Sequence, residues 1–184
     1  MKAEALTVGF GKLVTGINDL SSITATEMEE LKQLFVAGDG LLVVRTGATS
    51  HCPVKVKAFA AQLGALDDNE KYYKMQLQRW LHSEEHREIL CVGNALGDNS
   101  MLIQIPEEDK LLWHCDDSFR DPQPMGSCFY CVSAPDATGA THFANGTAAF
   151  AALDEAEQAK LRGCAAWHDY NYLNELLREN NPDR

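Results

Sequence analysis

No apolar run in this 184-residue chain approaches the roughly 20 residues that a bilayer-spanning helix needs. The N-terminal stretch MKAEALTVGFGKLVTG lacks a continuous apolar segment and a cleavage site, so it does not read as a secretory signal. Basic residues are few: 16 Lys and Arg stand against 27 Asp and Glu, a formal net charge of -11. Nucleic-acid binding rests on Lys and Arg neutralising phosphates, and an anionic membrane surface makes the same demand, so neither partner is expected. A small anionic substrate stays open, because one buried arginine can override the net field. Internal repeats, low-complexity tracts and interdomain linkers are absent as well. These absences leave a single domain over residues 1–184 in a cytoplasmic protein as the expectation.

Cysteine is present but not in a disulfide pattern. The six are Cys52, Cys91, Cys115, Cys128, Cys131 and Cys164, and neither spacing nor chain length suggests a small secreted scaffold. Cys128 and Cys131 form C-x-x-C in a segment that reads as a strand. Residues three apart on a strand face opposite sides, so the pair is expected to be buried and structural rather than metal-binding or redox-active.

The periodicities predict the elements. Residues 6–18 carry short alternating segments with glycines at 9, 11 and 16, a strand or hairpin. Residues 21–37 form the clearest helix, capped by Thr24 or Thr26, with Met28, Leu31, Leu34 and Phe35 in an apolar stripe and Gly38 and Gly40 at its end. A buried strand follows over 40–45, then a helix opened by Pro53 and stopped at Gly64. Residues 88–92 read as a strand, and 126–133 as the strongest strand of the second half. Residues 140–143 read as extended, and 146–153 and 155–161 as consecutive helices. Strands and helices do not alternate regularly, so an α+β arrangement with a mostly antiparallel sheet is expected.

The chemistry concentrates in Trp113-His114-Cys115-Asp116-Asp117-Ser118-Phe119. On an extended strand side chains alternate faces, so His114 and Asp116 point the same way and can reach one ion. That is two thirds of the 2-His-1-carboxylate facial triad, which leaves positions on Fe(II) open for a co-substrate and oxygen. H-x-D alone is a weak signal, and a surface loop carries it by chance.

The flanking residues make the signal specific. Residues 113–119 resemble the W-H-x-D-x-x-F core of the taurine dioxygenase (TauD/TfdA) family, the Fe(II)- and 2-oxoglutarate-dependent dioxygenases. The likeness continues through Pro124-Met125-Gly126 and Gly139-Ala140-Thr141 into the helix over 146–153. The earlier helix–strand–helix order and the strand Gly40-Leu41-Leu42-Val43-Val44-Arg45 are similar too. The resemblance implies a double-stranded β-helix, or jelly roll, with flanking helices. It implies His114 and Asp116 as iron ligands and Thr141 as a contact of the 2-oxoglutarate carboxylate. Fe(II), 2-oxoglutarate and O2 would together oxidise a C–H bond of a small-molecule substrate. A carboxylate at Asp116 favours hydroxylation or desaturation, since a halogenase needs a non-coordinating residue there.

The distal histidine and the carboxylate-clamping arginine of that family lie further along than Arg184, so the chain is expected to hold only the N-terminal and central part of an incomplete jelly roll. The third metal ligand is unknown. His168 suits a shorter oxygenase topology, although a satisfied structural histidine is the better reading, as it is for His142. His82 and His86 are four apart but do not form H-E-x-x-H, since no glutamate follows His82 directly. Two other readings compete with an active oxygenase. One is a non-catalytic truncated relative acting as a binding or interaction module. The other is a homo-oligomer in which a second copy completes the barrel or donates a ligand.

Overall fold

The computed structural model describes residues 1–6, 9–46, 52–70, 85–92, 113–134, 140–169, 171–172 and 175. Contacts divide the chain into two units. The first is Met1–Gln104 with Tyr130–Thr141; the second is Ile105–Phe129 with His142–Arg184.

The first unit is built on a three-stranded sheet of β1 (Lys2–Ala5), β2 (Lys12–Ile17) and β3 (Leu42–Thr46), in that order. The span 6–18, expected as a strand or hairpin, holds the strand β2, and its antiparallel partner β1 lies ahead of that span. β2 pairs with β3 in parallel, so the sheet is mixed where a mostly antiparallel one was expected. Parallel neighbours need a crossover, and helix α1 (Ala25–Ala37) supplies it. A three-stranded sheet with helices is compatible with the α+β class.

Gly16 decides how β2 meets the core. A regular strand would place residue 16 on the same face as Val14. Gly16 instead adopts φ +86, and the pairing with β3 shifts register between Val14 and Ile17. A glycine in the left-handed region is the usual bulge residue. The extra residue returns Ile17 to the face of Val14, and both are buried.

Helix α1 starts on a capping box. The Glu27 N–H donates to Thr24 Oγ1 at 3.2 Å, and the Thr24 N–H donates back to Glu27 Oε2 at 2.9 Å. The returned hydrogen bond also holds the Glu27 carboxyl below the usual range. We expect Thr24→Ala to destabilise this unit by about 1 kcal/mol in urea melts. The helix ends at Gly38, where an added Cβ would sit 2.7 Å from the Leu41 carbonyl oxygen, closer than any side chain tolerates. Met28 and Leu31 face inward and complete a core with Val14, Ile17, Leu20 and Phe59, the last from α2 (Pro53–Leu63).

Two ion pairs fasten α2. Lys55 Nζ lies 2.6 Å from Asp19 Oδ2, and Lys57 Nζ lies 2.7 Å from Glu88 Oε1. The Lys55 hydrogen bond, reinforced by the Ser21 N–H and hydroxyl, lowers the Asp19 pKa from 3.8 to about 2. The same contact raises Lys55 above its ordinary value. Asp19 therefore contributes stability above its unfolded value and loses it as pH falls toward 2. Lys55 contributes below its ordinary 10.5 and loses that as pH rises through its raised folded value. Asp19→Asn is expected to melt below the wild type at neutral pH and to converge with it near pH 2. Thermal melts across acid pH check this.

The second unit has less regular structure. It includes the helices α3 (Gly146–Ala151) and α4 (Glu155–Leu161), where the periodicity predicts consecutive helices. Asn145 caps the first by accepting from the Ala148 N–H at 2.9 Å, and Asp154 caps the second by accepting from the Glu157 N–H at 2.8 Å.

Two strand expectations change. Residues 88–92 begin at the end of a turn and hold only isolated bridge positions at Leu90 and Val92. Residues 126–133 form no ladder. A strand needs a hydrogen-bonding neighbour as well as β-forming side chains, and among the described residues the only multi-strand sheet is β1–β2–β3. The C-x-x-C is not the buried pair expected: Cys128 and Cys131 are both exposed, and all six cysteines are free thiols. No helix among the described residues is long and apolar enough to cross a membrane.

Candidate metal centre

The candidate site lies on a short segment of the second unit. The backbone is irregular through Trp113, His114 and Cys115, then turns over residues 116–119. The strand alternation expected for His114 and Asp116 is therefore absent, because Asp116 already belongs to the turn. Asp117 sits in the left-handed region at φ 52, which short polar side chains tolerate best after glycine.

Local bonds hold the turn. The Arg120 N–H donates to the Asp117 carbonyl at 3.0 Å, and the Arg120 guanidinium pairs with Asp117 Oδ2 at 3.4 Å. Gln123 Nε2 donates to the Ser118 carbonyl at 2.7 Å.

The turn brings the two sequence-predicted ligands together. His114 Nε2 lies 3.2 Å from Asp116 Oδ1, with side-chain exposures of 45% and 73%. A polar contact so open to solvent adds little to stability, so its interest is chemical. Two ligand atoms each about 2.1 Å from one ion, at right angles around it, stand about 3.0 Å apart. The observed separation fits that spacing, and an imidazole nitrogen with a carboxylate oxygen is the donor set that non-heme Fe(II) takes. Among the described residues no group of three His, Cys, Asp or Glu side chains converges as a metal cage.

The other candidates fall elsewhere. His168 Nδ1 shares a hydrogen bond with Ser118 Oγ at 2.8 Å. Thr141 belongs to the first unit and is exposed in an irregular stretch. His142 is exposed, and His86 sits half-buried in the turn over 85–88; His82 lies outside the described residues. Ser118 is the residue that sequence reasoning missed. Its partner is 50 positions away, and no spacing rule links residues that far apart.

The chain matches the Taurine catabolism dioxygenase TauD, TfdA family over residues 2–184. It is 30% identical over 97 residues to the (S)-phenoxypropionate/alpha-ketoglutarate-dioxygenase of Sphingobium herbicidovorans, covering 49% of this chain and 34% of that protein. The match thus spans about a third of the length of this curated relative. No solved structure matches the chain.

Proposed function

The chain belongs to the TauD, TfdA family, and from that premise we propose that it is an Fe(II)- and 2-oxoglutarate-dependent dioxygenase oxidising a C–H bond of a small molecule. The observation that carries this reading is the 3.2 Å approach of His114 Nε2 to Asp116 Oδ1. Those two atoms would hold the metal from one side. Both side chains are partly exposed, so the pair is open to a metal and its co-substrates from solvent.

Bound iron would supply the oxidative chemistry, coupling decarboxylation of 2-oxoglutarate to substrate oxidation by O2. The protein's own part is placement. His114 must present a neutral imidazole nitrogen, and Asp116 a carboxylate that partly offsets the ion's charge. The Thr141 hydroxyl would donate a hydrogen bond to the 2-oxoglutarate carboxylate. A third ligand and a clamping arginine complete the proposed site, and no residue is assigned to either role. The sheet β1–β2–β3 is then read as part of a jelly roll.

A second reading, a non-catalytic binding module, draws on exposed apolar side chains such as Trp113, Phe129 and Trp167. One experiment separates the two. Fe(II) is titrated anaerobically with 2-oxoglutarate while the weak visible charge-transfer band of the chelate is followed. Succinate is then measured in air with a substrate panel headed by (S)-phenoxypropionate, the compound in the relative's name. The oxygenase gives the band and substrate-dependent succinate. A folded chain with neither is the binding module.

A further inference from the structure

We infer that His168 is a positioning residue of the His114/Asp116 centre, acting through Ser118 to fix the turn that presents Asp116. This rests on the reading of His114 and Asp116 as metal ligands.

Ser118 lies two residues past Asp116, inside the turn over 116–119. The bonds from Arg120 to Asp117 and from Gln123 to Ser118 reach no more than five residues along the chain. They shape the turn but cannot anchor it to another segment. The 2.8 Å contact between His168 Nδ1 and Ser118 Oγ does, because it spans 50 residues. A turn with a non-glycine residue at φ 52 persists when its surroundings hold it, and this contact supplies such a hold.

His168 lies past the end of α4, in an irregular and exposed stretch. At that end the Arg162 guanidinium sits 5.4 Å from the centre of the Phe150 ring and Arg162 Nη2 donates to Gln158 Oε1 at 3.0 Å. Gln158 Nε2 in turn donates to the Leu153 carbonyl at 2.9 Å, joining α4 to the end of α3. His168, the helices α3 and α4 and the turn belong to the same unit.

The same geometry separates this role from that of a ligand. His114, Asp116 and His168 are all among the described residues, and they do not converge as a three-donor group. His168 reaches the turn at Ser118. Fixing the groups that orient a ligand is the kind of support whose loss weakens metal binding without removing a donor.

Co(II) serves as the probe, because its visible spectrum reports the ligand set while titration reports affinity. His168→Ala and Ser118→Ala are each expected to weaken Co(II) binding by about tenfold. The double variant should bind no more weakly than either single, since both remove one contact. His168→Asn should recover much of the affinity, because its amide can still bond Ser118 Oγ. At saturating Co(II) all these spectra should match the wild type. Ser118→Ala is a small change at a half-buried position, so it serves even if the histidine variants unfold. Unchanged affinity in the single variants of a metal-binding chain overturns the positioning role alone. A changed saturated spectrum in His168→Ala overturns it in favour of ligation. A wild-type chain that binds no Co(II) overturns both this inference and the metal-site reading beneath it.

Discussion

Replacing His114 with alanine is expected to abolish the Fe(II)–2-oxoglutarate band and to weaken divalent metal binding by more than about 100-fold, beyond what loss of a supporting contact causes. The reason is donor count. His114 Nε2 and Asp116 Oδ1 are the two atoms that the turn brings to ligand spacing, 3.2 Å apart. Removing one breaks the pair and leaves Asp116 as its single donor, and one carboxylate holds metal far more weakly than a chelating pair. Stability should hardly change, because both side chains are substantially exposed and such a pair adds little to folding. That combination, lost metal with an unchanged melt, distinguishes a ligand from a structural histidine. His142→Ala, at an exposed position in an irregular stretch, is the control and should bind metal as the wild type does. If His114→Ala keeps the band, the site lies elsewhere.

The largest effect on folding should come from Leu31→Ala. Leu31 is fully buried on α1, within the cluster of Val14, Ile17, Leu20, Met28 and Phe59. Truncating a buried leucine removes its transfer free energy and leaves a cavity, a loss of about 2–5 kcal/mol. Domains of ordinary size hold only about 5–15 kcal/mol in total, so much of the margin would go. The core is small and offers few neighbours to close the gap. Val36→Ala, on the same helix but 75% exposed, should change stability by less than about 0.5 kcal/mol. Urea unfolding of the two variants, followed by far-UV circular dichroism, checks the contrast. Equal midpoints would mean that α1 does not pack on the sheet as described.

What was legible in the sequence follows the range of the interactions. Thr24 and Glu27 are three residues apart, so the capping box could be seen before any fold was known. The 3.6-residue stripe of α1, the proline that opens α2 and the ends of both helices at glycine are equally local. The turn containing Asp117 departed from the strand expected, yet His114 and Asp116 still met, because a two-residue separation brings side chains together in more than one backbone shape. The strand expected over 126–133 failed for the opposite reason. Its residues favour extended backbone, but a ladder depends on a partner that local sequence does not specify.

The amino-acid sequence by itself determined the family, the helices α1 to α4 and the two-residue spacing of His114 and Asp116. Each of those depends on residues close together in the chain, where covalent geometry already limits the distances. Only the tertiary structure decided that β2 pairs in parallel with β3, that a bulge at Gly16 turns Ile17 into the core, and that His168 meets Ser118. These contacts depend on the path of the chain between distant residues. That path is set by the burial of the whole core rather than by any one spacing.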